Sequence, residues 1–163
     1  GGLPCAVYGF TAAVESGIQA LRARHAPGHS GLGTTLSGNP LAIAALRAAL
    51  EELITPSNHA RMDALAAQLA AGLANLFQAR GLDWQVSRIG ARTEFGYGPA
   101  PRNGSEAEAA MRPDLEQALH LGLLNRGVLV TPFHNMMLAS PATTEAQVDQ
   151  LLTALGDCLR ALQ

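Results

Sequence analysis

The sequence predicts a mixed α/β fold in which helices come first and a small sheet with helices on one side follows. Three observations carry this. Two long segments between residues 39 and 81 repeat apolar residues at helical spacing. From residue 82 onward, β-branched and aromatic runs alternate with helical ones in the order strand, strand, helix, strand, strand, helix. The chain is 48% apolar but only 4% aromatic, so the core must be built from Leu, Ala, Val and Ile. A chain of 163 residues is long enough to bury roughly 70% of its extended surface on folding.

Taken in order, Leu3 to Phe10 reads as a short buried strand, with Cys5 buried beside it. Ala12 to Arg24 places Val14, Ile18 and Leu21 at helical spacing. Residues 26–38 are rich in Gly, Ser and Thr and read as an irregular loop. A helix is predicted to begin at Pro40, because Asn39 is a good N-cap and a proline at the first helical position loses no bonded N–H. Its apolar stripe is Leu41, Ala44, Ala45, Ala48 and Ala49, and Thr55-Pro56 should stop or bend it. A second helix is expected from about Asn58 to Ala79, with Met62, Leu65, Leu69, Leu73 and Leu76 inward and Gly81 just past its end.

Trp84 to Ile89 and Arg92 to Tyr97 are strand candidates divided by Gly90-Ala91, followed by a Pro/Gly loop to Gly104. Ser105 is the expected cap of a short helix carrying Glu106 and Glu108. Pro113 to Asn125 reads as a helix, Val128 to Thr131 as a strand, and Met136 to Ala139 as that strand's partner. Thr144 and Gln147 have the spacing of a capping box before a last helix, whose inner face is Val148, Leu151, Leu152, Leu155 and Leu159, with Cys158 in the core.

The bulk properties exclude several classes. A formal charge of -2 gives no broad basic face, so nucleic acid is not an expected partner. Two cysteines, Cys5 and Cys158, make no disulfide framework, and no apolar run approaches the roughly 20 residues of a membrane span. No signal peptide is read, so a cytoplasmic location is expected. The start Gly1-Gly2-Leu3-Pro4 lacks Met and suggests a processed, tagged or truncated N-terminus.

Gly33-Thr34-Thr35-Leu36-Ser37-Gly38-Asn39-Pro40 looks like a phosphate-contacting turn leading into a helix. Yet the chain contains no lysine, since all of its basic residues are arginine. Gly28 to Thr35 nearly fits the nucleotide-triphosphate loop, but Thr34 stands where that loop needs its lysine, and no buried strand precedes it. A phosphate monoester is a milder demand that Thr34 or Thr35 hydroxyls and free backbone N–H groups satisfy. The alternative is a polar loop that only caps the helix.

The run Thr35-Leu36-Ser37-Gly38-Asn39-Pro40-Leu41-Ala42 resembles the Gly-Thr-Phe/Leu-Ser-Gly-Asn-Pro-Leu-Ala motif of class III aminotransferases, among them the glutamate-1-semialdehyde aminomutases. Gly1-Gly2-Leu3-Pro4-Cys5-Ala6-Val7-Tyr8-Gly9 is similar to a glycine-rich stretch of that family. Asn125-Arg126-Gly127-Val128 and Ser140 to Glu145 resemble its C-terminal domain, so the likeness spans the chain. The resemblance implies an α/β pyridoxal-phosphate-dependent transferase of fold type I. Residues 1–38 would be the tail of the large cofactor-binding domain, 39–81 the linking interdomain helices, and 82–163 the small C-terminal α/β domain.

It further implies that Thr35, with Thr34 beside it, contacts the phosphate of pyridoxal 5'-phosphate in the neighbouring subunit of a homodimer. The substrates implied are an amino acid and a keto acid. The family's Schiff-base lysine lies a few residues before the glycines matching Gly1-Gly2, and this chain has no such position. Arginine cannot take that role because it stays protonated. The expectation is therefore a C-terminal segment of an aminotransferase or aminomutase-like enzyme with no catalytic residue of its own, inactive by itself. The other reading is a non-catalytic interaction or assembly module that keeps the fold.

Two further residues are candidates for substrate binding. Arg92, on a predicted strand, offers a fork for a carboxylate, against a salt bridge with Glu94. The carboxylate role favours a transferase over a mutase. Arg88 shares its face only if Gly90 introduces no bulge. His134 lies in the loop that in the family approaches the substrate entrance. His25, His29, His59 and His120 show no metal-ligand grouping, and Pro27 and Gly28 keep His25 and His29 off a shared helical face.

Overall fold

The computed structural model describes residues 3–28, 33, 36–131 and 135–162. The chain divides into two compact units, Gly1–Thr55 and Pro56–Gln163.

In the first unit, α1 (Ala12–Arg22) is capped by Thr11, whose hydroxyl accepts the Val14 N–H at 3.4 Å. α2 (Pro40–Ala48) continues into a π-helical turn, Ala49–Leu53, closed by the Ile54 N–H donating to the Ala49 carbonyl at 2.8 Å. Ile54 then leaves helical geometry at φ -87°, ψ 65°, one residue before Thr55-Pro56, where the sequence places the stop. The strand expected at Leu3 to Phe10 does not form: these residues run without regular structure. A strand is stable only with a neighbour to complete its ladder, and no described residue of this unit is in a sheet. Val7 and Tyr8 stay 73% and 69% exposed, and Cys5 is exposed where burial was expected. The apolar stripe read on α2 buries only its last residue, Ala49.

The second unit holds the core. α3 (Pro56–Ala79) starts two residues earlier than the sequence suggests, since Pro56 suits a first helical turn. It buries Leu65, Ala66, Leu69, Leu73 and Phe77. β1 (Gln85–Ile89), β2 (Arg92–Gly96) and β3 (Met136–Leu138) form one antiparallel sheet in that order. Val128 to Thr131 is not a strand, and the partner of Met136 to Leu138 is β2. The Val128 N–H is used elsewhere, donating to the Leu123 carbonyl at 3.0 Å to close α5 (Pro113–Leu124). With α4 (Gly104–Ala109) before α5, the order is strand, strand, helix, helix, strand, helix.

α4 is capped by Asn103, whose Oδ1 accepts the Glu106 N–H at 3.0 Å, so Ser105 lies inside the helix. α6 (Glu145–Ala161) carries the capping box at Thr144 and Gln147 and buries Val148, Leu155, Cys158 and Leu159. α6 packs against both α3 and α5 on one side of the sheet. The helices come very close: a Cβ on Gly122 of α5 would lie 2.8 Å from Cys158 Sγ, and one on Gly72 of α3 would overlap Leu152. Inward-facing Thr93 is fully buried, and its hydroxyl donates to the Ala66 carbonyl at 3.1 Å, tying sheet to helix.

Candidate functional site

The segment before α2 makes a tight turn. Gly33 has φ +132°, where a side chain is strained and glycine is favoured, and a Cβ there would meet the Ser37 hydroxyl at 2.7 Å and force it to turn away. The Asn39 N–H donates to the Leu36 carbonyl at 3.3 Å. Asn39 Oδ1 then accepts the N–H groups of Leu41 at 3.0 Å and Ala42 at 3.2 Å, and its carbonyl accepts that of Ile43. Pro40 has no N–H to offer.

All N–H groups in the first turn of α2 are therefore committed. Free backbone N–H groups were one expected source of anion contacts here; at the helix end they are taken. Any phosphate contact falls to the turn and its hydroxyls. Thr34 and Thr35, the residues expected to make it, lie outside the described residues. The turn and the segment Pro4 to Tyr8 line a cleft of about 430 Å³.

Asn39→Ala is expected to speed amide hydrogen exchange at Leu41 and Ala42, with about 1 kcal/mol lost from the helix end. Asn39→Ser should largely preserve protection. Unchanged exchange in the alanine variant would contradict the cap.

Arg92 is described, and its guanidinium donates to Glu94 Oε2 at 2.6 Å on a half-exposed surface. This is the salt bridge weighed against a carboxylate-binding role. Arg88 does not share its face. Gly90-Ala91 is a hairpin turn, Arg88 pairs with Thr93 in the ladder, and its side chain reaches Asp63 on α3 at 2.6 Å. Arg92 instead sits opposite Ile89 and Leu138 on the open face of the sheet.

His134 lies outside the described residues. The residue after it is well placed: Tyr97 Oη donates to Asn135 Oδ1 at 3.4 Å, and Asn135 Nδ2 donates to the Phe95 carbonyl at 3.3 Å. Tyr97 is not among the residues singled out from sequence. The available signal is the period-two series Thr93, Phe95, Tyr97, all of which are buried.

Burial pushes the Tyr97 phenol up to about 12, and the Glu116 carboxylate also raises it. An unfolded tyrosine ionises near 10. The fold thus favours the neutral phenol. The stability this contributes is complete below about pH 10 and lost as pH rises through about 12. Urea midpoints measured across that range should fall less for Tyr97→Phe than for the natural chain. Parallel curves would refute the assignment.

Among the described residues no group of three or more His, Cys, Asp or Glu is arranged to hold a metal ion. No helix there is long and apolar enough to cross a membrane.

Residues 1–159 match the family model of class-III aminotransferases. The chain belongs to the class-III aminotransferase family. This class-III chain is 31% identical over 161 residues to a glutamate-1-semialdehyde 2,1-aminomutase of Thermus thermophilus, covering 98% of the chain and 36% of the relative.

Among solved structures it is similar to a lysine-to-alanine variant of a glutamate-1-semialdehyde aminomutase from Pseudomonas aeruginosa PAO1 in complex with PMP. The TM-score is 0.87 at 44% identity, over 95% of this chain and 35% of that one. An omega-transaminase from Sphaerobacter thermophilus shares the fold at TM-score 0.70 and 22% identity, covering 78% of this chain and 29% of that one. The fold is accordingly that of part of a fold-type-I transferase, with the small antiparallel sheet described above. The class-III chain spans about a third of the length of the relatives it matches.

Proposed function

We propose that this chain supplies the C-terminal third of a pyridoxal-phosphate-dependent aminotransferase or aminomutase and does not transfer amino groups by itself. One observation carries the second half of that reading: a match to the family over residues 1–159 in a sequence without a single lysine. Pyridoxal phosphate, when bound, supplies an electron sink for carbanion chemistry, but the enzyme must hold it through a lysine amine.

The residues present fit one end of this cofactor. The sequence puts the hydroxyls of Thr34 and Thr35 next to a turn that favours glycine, and the capped end of α2 leaves phosphate recognition to that turn. In our reading Thr35, with Thr34 beside it, holds the phosphate in the neighbouring subunit of a cytoplasmic homodimer. Residues 1–38 close the large domain, 39–81 link the domains and 82–163 form the small one. Arg92 and His134 lie toward the substrate, an amino acid or keto acid. Arg92 must release Glu94 before it can take a carboxylate, which weakens the argument for a transferase. The similarity to glutamate-1-semialdehyde aminomutases favours internal migration of the amino group in the whole enzyme.

The test is incubation of the purified chain with pyridoxal phosphate, borohydride reduction and peptide mass mapping. No side-chain adduct is expected, and any adduct should map to the terminal α-amine. A trapped internal side chain, or transfer of nitrogen from an amino acid to a keto acid by the chain alone, would overturn the reading. The coding region immediately upstream separates the two readings: an open frame supplying a lysine before the glycines supports the enzyme, and a start codon at this point supports the assembly module.

A further inference from the structure

We draw no further inference here: the strongest candidate, the open face of the three-stranded sheet where Ile89 and Leu138 lie exposed beside the Arg92–Glu94 ion pair, is an unpartnered face, and nothing in the structure shows what covers it.

Discussion

Replacing Phe77 with Ala is expected to lower the stability of the second unit by about 3–5 kcal/mol. Phe77 sits near the end of α3 and is 1% exposed. Its ring meets Trp84 and Phe95 edge-on, with centroids 5.1 and 5.3 Å away, and Trp84 stacks on Phe95 at 5.9 Å. Four of the chain's few aromatic rings thus share one cluster, Tyr97 completing it against Trp84 at 4.8 Å. Truncation removes both the transfer free energy of the ring and the contacts of the cavity lining, which fixed neighbours cannot replace. Domains of this size are stable by only about 5–15 kcal/mol, so the loss is about a fifth or more.

Trp84 is the only tryptophan, so its fluorescence reports this cluster directly during urea unfolding. The midpoint should fall with little change in slope. Phe77→Leu keeps part of the volume and should cost less. An alanine variant as stable as the natural chain would mean that the cluster is not the core.

Cutting the chain at the boundary between its units is expected to give two very different products. Residues 56–163 should fold alone and unfold in one cooperative transition. Residues 1–55 alone should show no such transition. The reason is where apolar surface is buried. Every residue of the hydrophobic core cluster, from Leu65 to Leu159, belongs to the second unit. In the first unit α1 and α2 bury none of their residues, and Leu36, Leu41, Leu50 and Leu53 are each at least half exposed. Isolated helices of 11 and 9 residues are marginal in water without a packed face. Circular dichroism melts of the two fragments decide this. A sharp transition in residues 1–55, or none in 56–163, would contradict the division.

Local rules located most of the helices. Asn39-Pro40 and the Thr144–Gln147 box start helices where the sequence places them, because a cap is decided by residues two or three apart, and Pro113 does so as a first-turn proline without a side-chain cap. The alternation in Arg92 to Tyr97 likewise marked a strand. The two missed strands share one cause. Leu3 to Phe10 and Val128 to Thr131 have strand composition, but a strand exists only if another segment pairs with it. Ser105 lost to Asn103 because both can cap, and Arg102, whose backbone and guanidinium bond Glu106, fixes the earlier start.

The candidate site was legible as chemistry more than as geometry. The hydroxyl-rich turn and the missing lysine are properties of the residues alone, as is the inability of eleven arginines to replace an amine that must lose its proton. That Asn39 takes the first N–H groups of α2 follows from its place in the sequence, but its consequence for a phosphate needed the bond partners.

What the sequence by itself determined is therefore the family, the helix boundaries set by caps, and the absence of a side-chain amine, all of which depend on residue identity and short spacing. Only the tertiary structure decided that Arg92 holds Glu94 while Arg88 reaches Asp63, that β3 pairs with β2, and that the core belongs to residues 56–163. Those outcomes depend on which distant segments meet. The energy of burial and pairing is shared between residues far apart in the chain, and no local pattern carries it.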